Sequence, residues 1–344
     1  MKRFEGFEHG VNLGGWLSQC VSYEKEHFDT FILEEDIKRI ADWGLDHVRV
    51  PVDYSIIEEE DGTFKEDGFQ YIDNCITWCK KYGLHMLLDL HKVYGYTFDP
   101  LDHGDLEKFF HDKDLQARFI QTWSEIARRY GKYSDMVAFE LLNEVVSPSV
   151  VDEWNTIIRN TTTAIREIAP DTYIVFGGVR YNNVTSVPLL IEPFADKLVY
   201  NFHCYDPFVF THQKAYWVEG MPKDFEMSYP GSLELYREKS ALFNRESTAA
   251  IYVEDIKEVG PQMFEVLFAQ AVKTAEERGV ALYCGEYGVI DQAPVEDSLR
   301  WIKDINSAFD KMGIGRALWN YKNKDYGIVD AHYAAIRDEL VKYL

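Results

Sequence analysis

Two short strings of the chain each close an apolar run with a glutamate: Phe139-Glu140-Leu141-Leu142-Asn143-Glu144 and Leu282-Tyr283-Cys284-Gly285-Glu286-Tyr287-Gly288. A carboxylate ending a buried strand is poorly solvated unless the strand opens onto a site. Two such ends facing each other form a carboxylate pair, the minimal equipment for acid–base and nucleophilic work at a glycosidic bond. Taken singly, either glutamate reads as a solvated residue at the start of a loop. The pair, Glu144 after Asn and Glu286 after Gly, is what carries the chemical reading.

Further polar residues close apolar runs in the same manner: Arg49, His91, Asn143, His203, Tyr205 and Trp319. Glycoside cleavage needs a proton donor for the leaving oxygen and a stabiliser for the developing oxocarbenium ion. Asn143 fits a carboxamide that donates to a sugar hydroxyl and to a carboxylate. Arg49 fits a permanent charge that keeps a nucleophile ionised. His91 and His203 could fix hydroxyls or the acid, and Trp319 could form a stacking floor. Each has a plainer alternative. Arg49 could be a buried ion pair with Glu140, and each histidine a satisfied core imidazole. His85, Asp89, His91 and His203 also raise a metal alternative. His85 and Asp89 lie too far back along their strand to share an ion, so no metal is expected.

These residues need a scaffold that brings strand ends to one face. Short apolar runs alternate with helical periodicity along the chain. The strands are expected at 10–15, 47–51, 84–90, 136–142, 173–177, 198–203, 280–285 and 317–319. Between them lie helical faces such as Ile37, Ile40 and Ala41; Phe69, Ile72, Ile76 and Cys79; and Phe119, Trp123, Ile126 and Tyr130. Trp154, Ile158, Ile165 and Ile168 give another, residues 187–194 a weaker one, and Ile336, Leu340, Val341 and Leu344 the last. Eight strands alternating with helices predict an α/β fold, a (β/α)8 TIM barrel, whose sites sit at the C-terminal strand ends.

No linker, low-complexity tract or repeat divides residues 1–344, so one catalytic barrel is expected. Residues 206–260 are too long for a simple connector and carry many rings. They read as a small subdomain after strand six, a cap lining a substrate cleft, with Phe208 and Trp217 as candidate cleft residues. A structural excursion is the alternative.

Composition narrows the partners. Lys plus Arg number 36 and Asp plus Glu 58, a net charge of −22 that repels phosphate backbones and anionic lipid. Nucleic acid, membrane and polyanionic substrates are therefore not expected, whereas a neutral polymer is compatible. Aromatics reach 15% of residues, which suits stacking on sugar faces as well as a large core. The five cysteines lack disulfide or zinc spacing and read as small buried thiols. The start, Met1-Lys2-Arg3-Phe4-Glu5-Gly6, has no apolar signal core. The chain as given is expected in the cytoplasm, or secreted if a leader has been removed.

Several motifs together resemble a known family. Gly10-Val11-Asn12-Leu13-Gly14-Gly15-Trp16, His47-Val48-Arg49-Val50-Pro51, Leu142-Asn143-Glu144, Phe202-His203-Cys204-Tyr205, Gly285-Glu286-Tyr287-Gly288 and Leu318-Trp319-Asn320-Tyr321 are similar, in order and spacing, to motifs of glycoside hydrolase family 5, the cellulase family of clan A. The resemblance covers essentially the whole chain and points to compact bacterial endoglucanases with a subdomain after strand six. It implies a retaining endo-β-glucanase that cleaves β-1,4 or mixed-linkage β-1,3/1,4-glucan by double displacement. It implies Glu144 as acid/base, Glu286 as nucleophile, no cofactor, and Arg49, His91, Asn143, His203, Tyr205 and Trp319 as supporting positions, Tyr205 beside Glu286. Val145 departs from the family, where many members carry Pro at that turn. A β-1,3-glucanase, a β-mannanase and a non-catalytic glucan-binding barrel are the alternatives.

Overall fold

Every apolar run assigned to a strand falls on one in the computed structural model, which describes residues 1–243 and 256–344. The first six strands are β1 (His9–Asn12), β2 (His47–Asp53), β3 (His85–Lys92), β4 (Val137–Glu140), β5 (Ile174–Gly177) and β6 (Leu198–Cys204). A short antiparallel ribbon follows, β7 (Gly231–Ser232) with β8 (Glu258–Val259). The last two are β9 (Ala281–Tyr287) and β10 (Gly315–Leu318). All but the ribbon pair in parallel and close in the order β1-β10-β9-β6-β5-β4-β3-β2. The chain is thus a (β/α)8 barrel.

The crossover helices bury the faces that their periodicity marks. In the helix Lys113–Tyr130, Phe119, Trp123, Ile126 and Tyr130 all turn inward, and Trp123 donates its indole N–H to Leu141 O at 3.0 Å. Each such side chain taken from water contributes about 1.5–3 kcal/mol before ordering costs. Two expected helices are absent as such. Residues 187–194 form no α-helix: Val184–Leu189 is a 3₁₀ segment, and Pro188 within it has no N–H for a helical ladder. At the end of the chain only Arg337–Leu340 is helical. Ile336, Leu340 and Leu344 are buried there all the same, so their spacing reported burial rather than a long helix.

The N-terminal mouth of the barrel is plugged by residues that periodicity did not mark. Phe4 and Phe7 stack at 4.1 Å between ring centres, beneath an inner layer that includes Leu87, Ala138, Val175, Val199 and Ala281. Water is kept from that end, so charged groups higher in the barrel sit in a poorly polarisable medium.

In the segment 206–260, residues 244–255 lie outside the described residues. Most rings of the remainder are buried: Phe210, Phe225, Tyr229, Tyr236 and Phe243. Tyr229 ties the segment to the helix Val295–Met312 by donating its hydroxyl to Asp304 Oδ2 at 2.8 Å. Tyr216 is 74% exposed and Trp217 half-buried beside it. No helix among the described residues is long and apolar enough to cross a membrane.

Candidate active site

Alternate residues of a barrel strand point inward, and parallel register sets them at a common height. Asn12 of β1 pairs with Arg49 of β2, Asp89 of β3 with Glu140 of β4, and His203 of β6 with Glu286 of β9. The β6–β9 ladder slips by one residue just before that last pair, leaving Gly285 as a bulge. A Cβ on Gly285 would lie 2.8 Å from the Asn201 amide and 3.1 Å from His203, so only glycine fits there. The bulge delivers Glu286 to the barrel centre. Gly14 is constrained in the same way, since a Cβ would meet the Trp319 ring at 2.4 Å. Asn320 braces that loop through paired amide contacts to Gly14 N and O, each at 2.9 Å.

Arg49 is fully buried at the centre and uses all five of its N–H donors. Two go to Glu140 at 2.7 and 2.8 Å, and one each to Asn12 (2.9 Å), Asn143 (2.8 Å) and Glu286 Oε1 (2.8 Å). The two readings of Arg49 are therefore both realised: it pairs with Glu140 and also touches Glu286. Asp89 Oδ2 lies 3.0 Å from the same guanidinium. Burial works against the charge of Arg49, but Asp89, Glu140 and Glu286 outweigh it and hold the group protonated. Burial also lifts Asp89 and Glu140 to about 7 each, with Arg49 opposing the rise.

Glu286 receives donors at both oxygens: Arg49 at Oε1, and the Tyr205 hydroxyl at Oε2, 2.8 Å away. Its carboxyl is raised by burial, with the charge of Arg49 and the hydrogen bond from Tyr205 acting to lower it. Glu144 is pushed well above the ordinary carboxyl range, first by burial and then by the charge of Glu286. His203 Nδ1 lies 2.8 Å from Glu144 Oε1 and 3.7 Å from Glu286 Oε2. Burial, reinforced by Arg49, holds His203 neutral. Its Nε2 faces Gly285 and has no partner among the described residues, so the ring proton belongs on Nδ1, donated to Glu144. The backbone beyond Glu144 is pinned by Tyr96, whose hydroxyl donates to Glu144 O at 2.7 Å and accepts from Val146 N at 3.0 Å.

His91 sits within β3 rather than past its end. Its Nδ1 contacts Asp89 Oδ2 at 2.6 Å, and its ring stacks on Trp319 at 5.7 Å with an interplanar angle of 5°. Burial drops His91 to about 3, so it is neutral. Asn143 Nδ2 is without a partner among the described residues. One ligand atom each from Glu144, His203 and Glu286 lies within 4.8 Å of the others, a spacing that a cation could also use. The set His85, Asp89, His91 and His203 does not assemble, because His85 packs on Phe7 at the opposite end of the barrel.

A cleft opens above these groups. Trp319, Glu286, Tyr205, His203 and Glu144 line its floor, with Trp217, Tyr216, Phe208, Phe98, Leu101, Tyr181, Asn183 and Lys324 among its walls. Phe208 is only 4% exposed, and the His212 ring covers its face at 4.4 Å, so it contributes an edge and not a stacking platform. All eight principal residues marked from sequence thus converge. Reading strand ends missed Tyr96, Asn201 and Tyr181, whose places depend on loop paths and on the bulge; Asn201 was the most findable, lying two residues before His203 on the same strand face.

The family model for Cellulase (glycosyl hydrolase family 5) matches residues 8–325. Cellodextrinase A of Ruminococcus flavefaciens is 44% identical over 92% of this chain and 86% of its own length. Endoglucanase C of Acetivibrio thermocellus is 41% identical over 98% of each chain. The structure of Thermotoga maritima Cel5A in complex with cellobiose superposes with a TM-score of 0.76 at 22% identity, covering 98% of this chain and 97% of that one.

Proposed function

The chain belongs to glycosyl hydrolase family 5 and is a retaining endo-β-1,4-glucanase, and we propose that Glu144 is its acid/base and Glu286 its nucleophile. One observation supports this pairing above the others: one oxygen of each carboxyl lies within 4.8 Å of the other, so both groups can reach a single glycosidic centre. The donors at both Glu286 oxygens support the division of roles. Direct attack by a carboxylate suits a carboxyl separation of about 5–5.5 Å, whereas a pair that must admit water between them stands roughly 6.5–9.5 Å apart.

The protonation states follow from the surroundings. Both Glu286 oxygens accept hydrogen bonds, which favours the ionised form. Glu144, buried and beside that negative charge, keeps its proton. His203 donates to Glu144 Oε1, leaving the acid proton on Oε2 for the leaving oxygen. In the first step Glu286 attacks C1, the glycosidic C–O bond breaks, and the proton of Glu144 passes to the departing sugar. The resulting ester no longer carries the negative charge that raised Glu144, so Glu144 becomes the base. It then takes a proton from water as the water oxygen bonds to C1 and the ester C–O bond breaks, returning Glu286 as carboxylate with β configuration retained.

In this reading Asn143 and His91 hold sugar hydroxyls and Trp319 floors the sugar at the nucleophile. Support comes from Asn143 Nδ2, which has no partner among the described residues, and from the stacking of His91 on Trp319. Within the segment after β6, Trp217 and Tyr216 cap one wall of the cleft. The preferred polymer is β-1,4 or mixed-linkage glucan. Reducing-end release from barley glucan, carboxymethylcellulose, laminarin and mannan tests this, together with NMR of the first-formed anomer. Cleavage of the first two substrates with β product is expected. An α product contradicts the pairing of roles.

A further inference from the structure

Gly285 interrupts the barrel ladder on both of its flanks. Against β6 the register runs from Phe202 with Cys284 to His203 with Glu286, and against β10 from Arg316 with Cys284 to Leu318 with Tyr287. Side-chain amides hold the peptide groups at this bulge. Gly285 N donates to Asn201 Oδ1 at 2.8 Å, and Gly285 O accepts from Asn12 Nδ2 at 2.9 Å. The two contacts bracket the residue that precedes Glu286, so they fix the direction in which the nucleophile leaves its strand.

The far ends of both amides are anchored as well. Asn201 Nδ2 donates to Glu140 Oε1 at 2.8 Å, and Asn12 Oδ1 accepts from Arg49 Nη1 at 2.9 Å. Arg49 itself donates to that same Glu140 oxygen. The hydrogen bonds therefore close a ring that runs from Gly285 through Asn201, Glu140, Arg49 and Asn12 back to Gly285. From the ring Arg49 branches onto the Glu286 carboxylate. Asn12, Asn201, Arg49 and Glu140 are all fully buried, and linked hydrogen bonds in a dry interior stiffen one another. Neither asparagine is among the residues lining the cleft. Whatever Asn201 does for the reaction passes through Gly285.

We propose that Asn201 is a positioning residue: acting through the Gly285 peptide, it sets the line along which Glu286 attacks C1. This rests on the roles given above to Glu144 and Glu286. A residue that only fills space or satisfies Glu140 shows in stability, whereas one that aims the nucleophile shows in the rate at saturation. The test uses 2,4-dinitrophenyl 2-deoxy-2-fluoro-β-cellobioside, whose leaving group departs without an acid. The rate at which it inactivates the protein therefore reads bond formation by Glu286 alone. Asn201→Ala is expected to slow inactivation at saturating probe by about 10–100-fold, as a displacement near 1 Å does. The half-saturating concentration should stay within about threefold of wild type, because the cleft is untouched.

Asn201→Asp gives a second reading. Protonated, its hydroxyl donates to Glu140 and its carbonyl accepts from Gly285 N, as the amide does; ionised, it repels Glu140 and the ring opens. The charged groups it would meet are Glu140 and, beyond it, Arg49 and Asp89. Tyr283, its register partner on β9, and His203 are both kept uncharged by burial. Its inactivation rate should match wild type near about pH 5 and fall behind as pH rises towards about 9. The assignment is overturned by an Asn201→Ala protein inactivated at the wild-type rate, or by a change confined to the half-saturating concentration. It is equally overturned by an Asn201→Asp protein that does not fold or whose rate relative to wild type ignores pH, and this variant alone decides if Asn201→Ala does not fold. A wild-type protein that the probe never labels overturns the reading of Glu286 as nucleophile and this assignment with it; a labelled wild type with unaffected variants overturns this assignment alone.

Discussion

Arg49 offers the most demanding test of how the barrel centre is wired. Its guanidinium contacts Glu286 at 2.8 Å, grips Glu140 with two bonds, and lies fully buried. Arg49→Ala removes the permanent charge opposing ionisation loss at Glu286. An opposite charge in contact generally lowers a carboxyl by about 1–3 pH units, so the acidic limb of the kcat/KM profile should move upward by at least about one. The sign is fixed: burial already raises Glu286, Arg49 counteracts it, and without Arg49 a higher pH is needed to free the nucleophile. The same change strands Glu140 and Asp89, and breaking a buried pair costs about 3–5 kcal/mol, on the order of 10 °C in Tm. Arg49→Ala/Glu140→Gln removes one stranded charge and should recover part of that Tm while the limb stays displaced. Arg49→Lys, which retains charge without the fork, should shift the limb less. A folded Arg49→Ala protein with an unmoved limb would refute the electrostatic role and leave Arg49 a purely structural residue.

Other consequences can be checked alongside. Glu144→Ala should lose most activity on cello-oligosaccharides but least on dinitrophenyl glycosides, and azide should rescue it by attacking the ester without base assistance, read as β-glycosyl azide. Glu144→Gln should raise Tm at pH 8 but not at pH 4. A carboxyl raised on folding stabilises below its unfolded pKa and loses that contribution as pH rises through the folded value, so the advantage of glutamine grows with pH. Each kcal/mol gained is about 2 °C in a chain of this size, and a Tm difference that is flat with pH contradicts the argument. Trp217→Ala should weaken long oligosaccharides more than aryl glucosides, by about 0.5–2 kcal/mol, at unchanged Tm. Equal loss on both would return Trp217 to a packing role.

The barrel was readable because doubly buried strands are continuous apolar runs and the helices between them hold a strong period, as Phe119, Trp123, Ile126 and Tyr130 do. Polar residues closing such runs were readable for the same reason: either Glu144 or Glu286 alone could be a solvated residue starting a loop, but two carboxylates closing buried runs together point to a site. What stayed hidden depends on distant chain. Phe4 and Phe7 look like a ragged terminus until the barrel mouth they fill exists. The rings of residues 206–260 suggested a sugar-binding wall, but Phe210, Tyr229 and Tyr236 pack into the segment's own core, and Phe208 lies under His212. Aromatic content cannot separate those uses. Asp89 shares its strand face with His91, yet it became part of the site only once Arg49 was seen to reach across the barrel. The left-handed turn at Tyr181 runs against the preference of its residues, so no local rule could have found it.

Trapping the glycosyl–enzyme ester tests the assigned chemistry most directly. The probe is 2,4-dinitrophenyl 2-deoxy-2-fluoro-β-cellobioside, whose fluorine slows both steps while the activated leaving group lets the first proceed. Proteolysis and peptide mass spectrometry of the inactivated protein should then find one fluorocellobiosyl adduct, on Glu286, and the Glu286→Gln protein should acquire none. An adduct on Glu144 would reverse the two roles, and a protein that turns over β-glucan without forming an adduct, releasing the α anomer first, would contradict double displacement altogether.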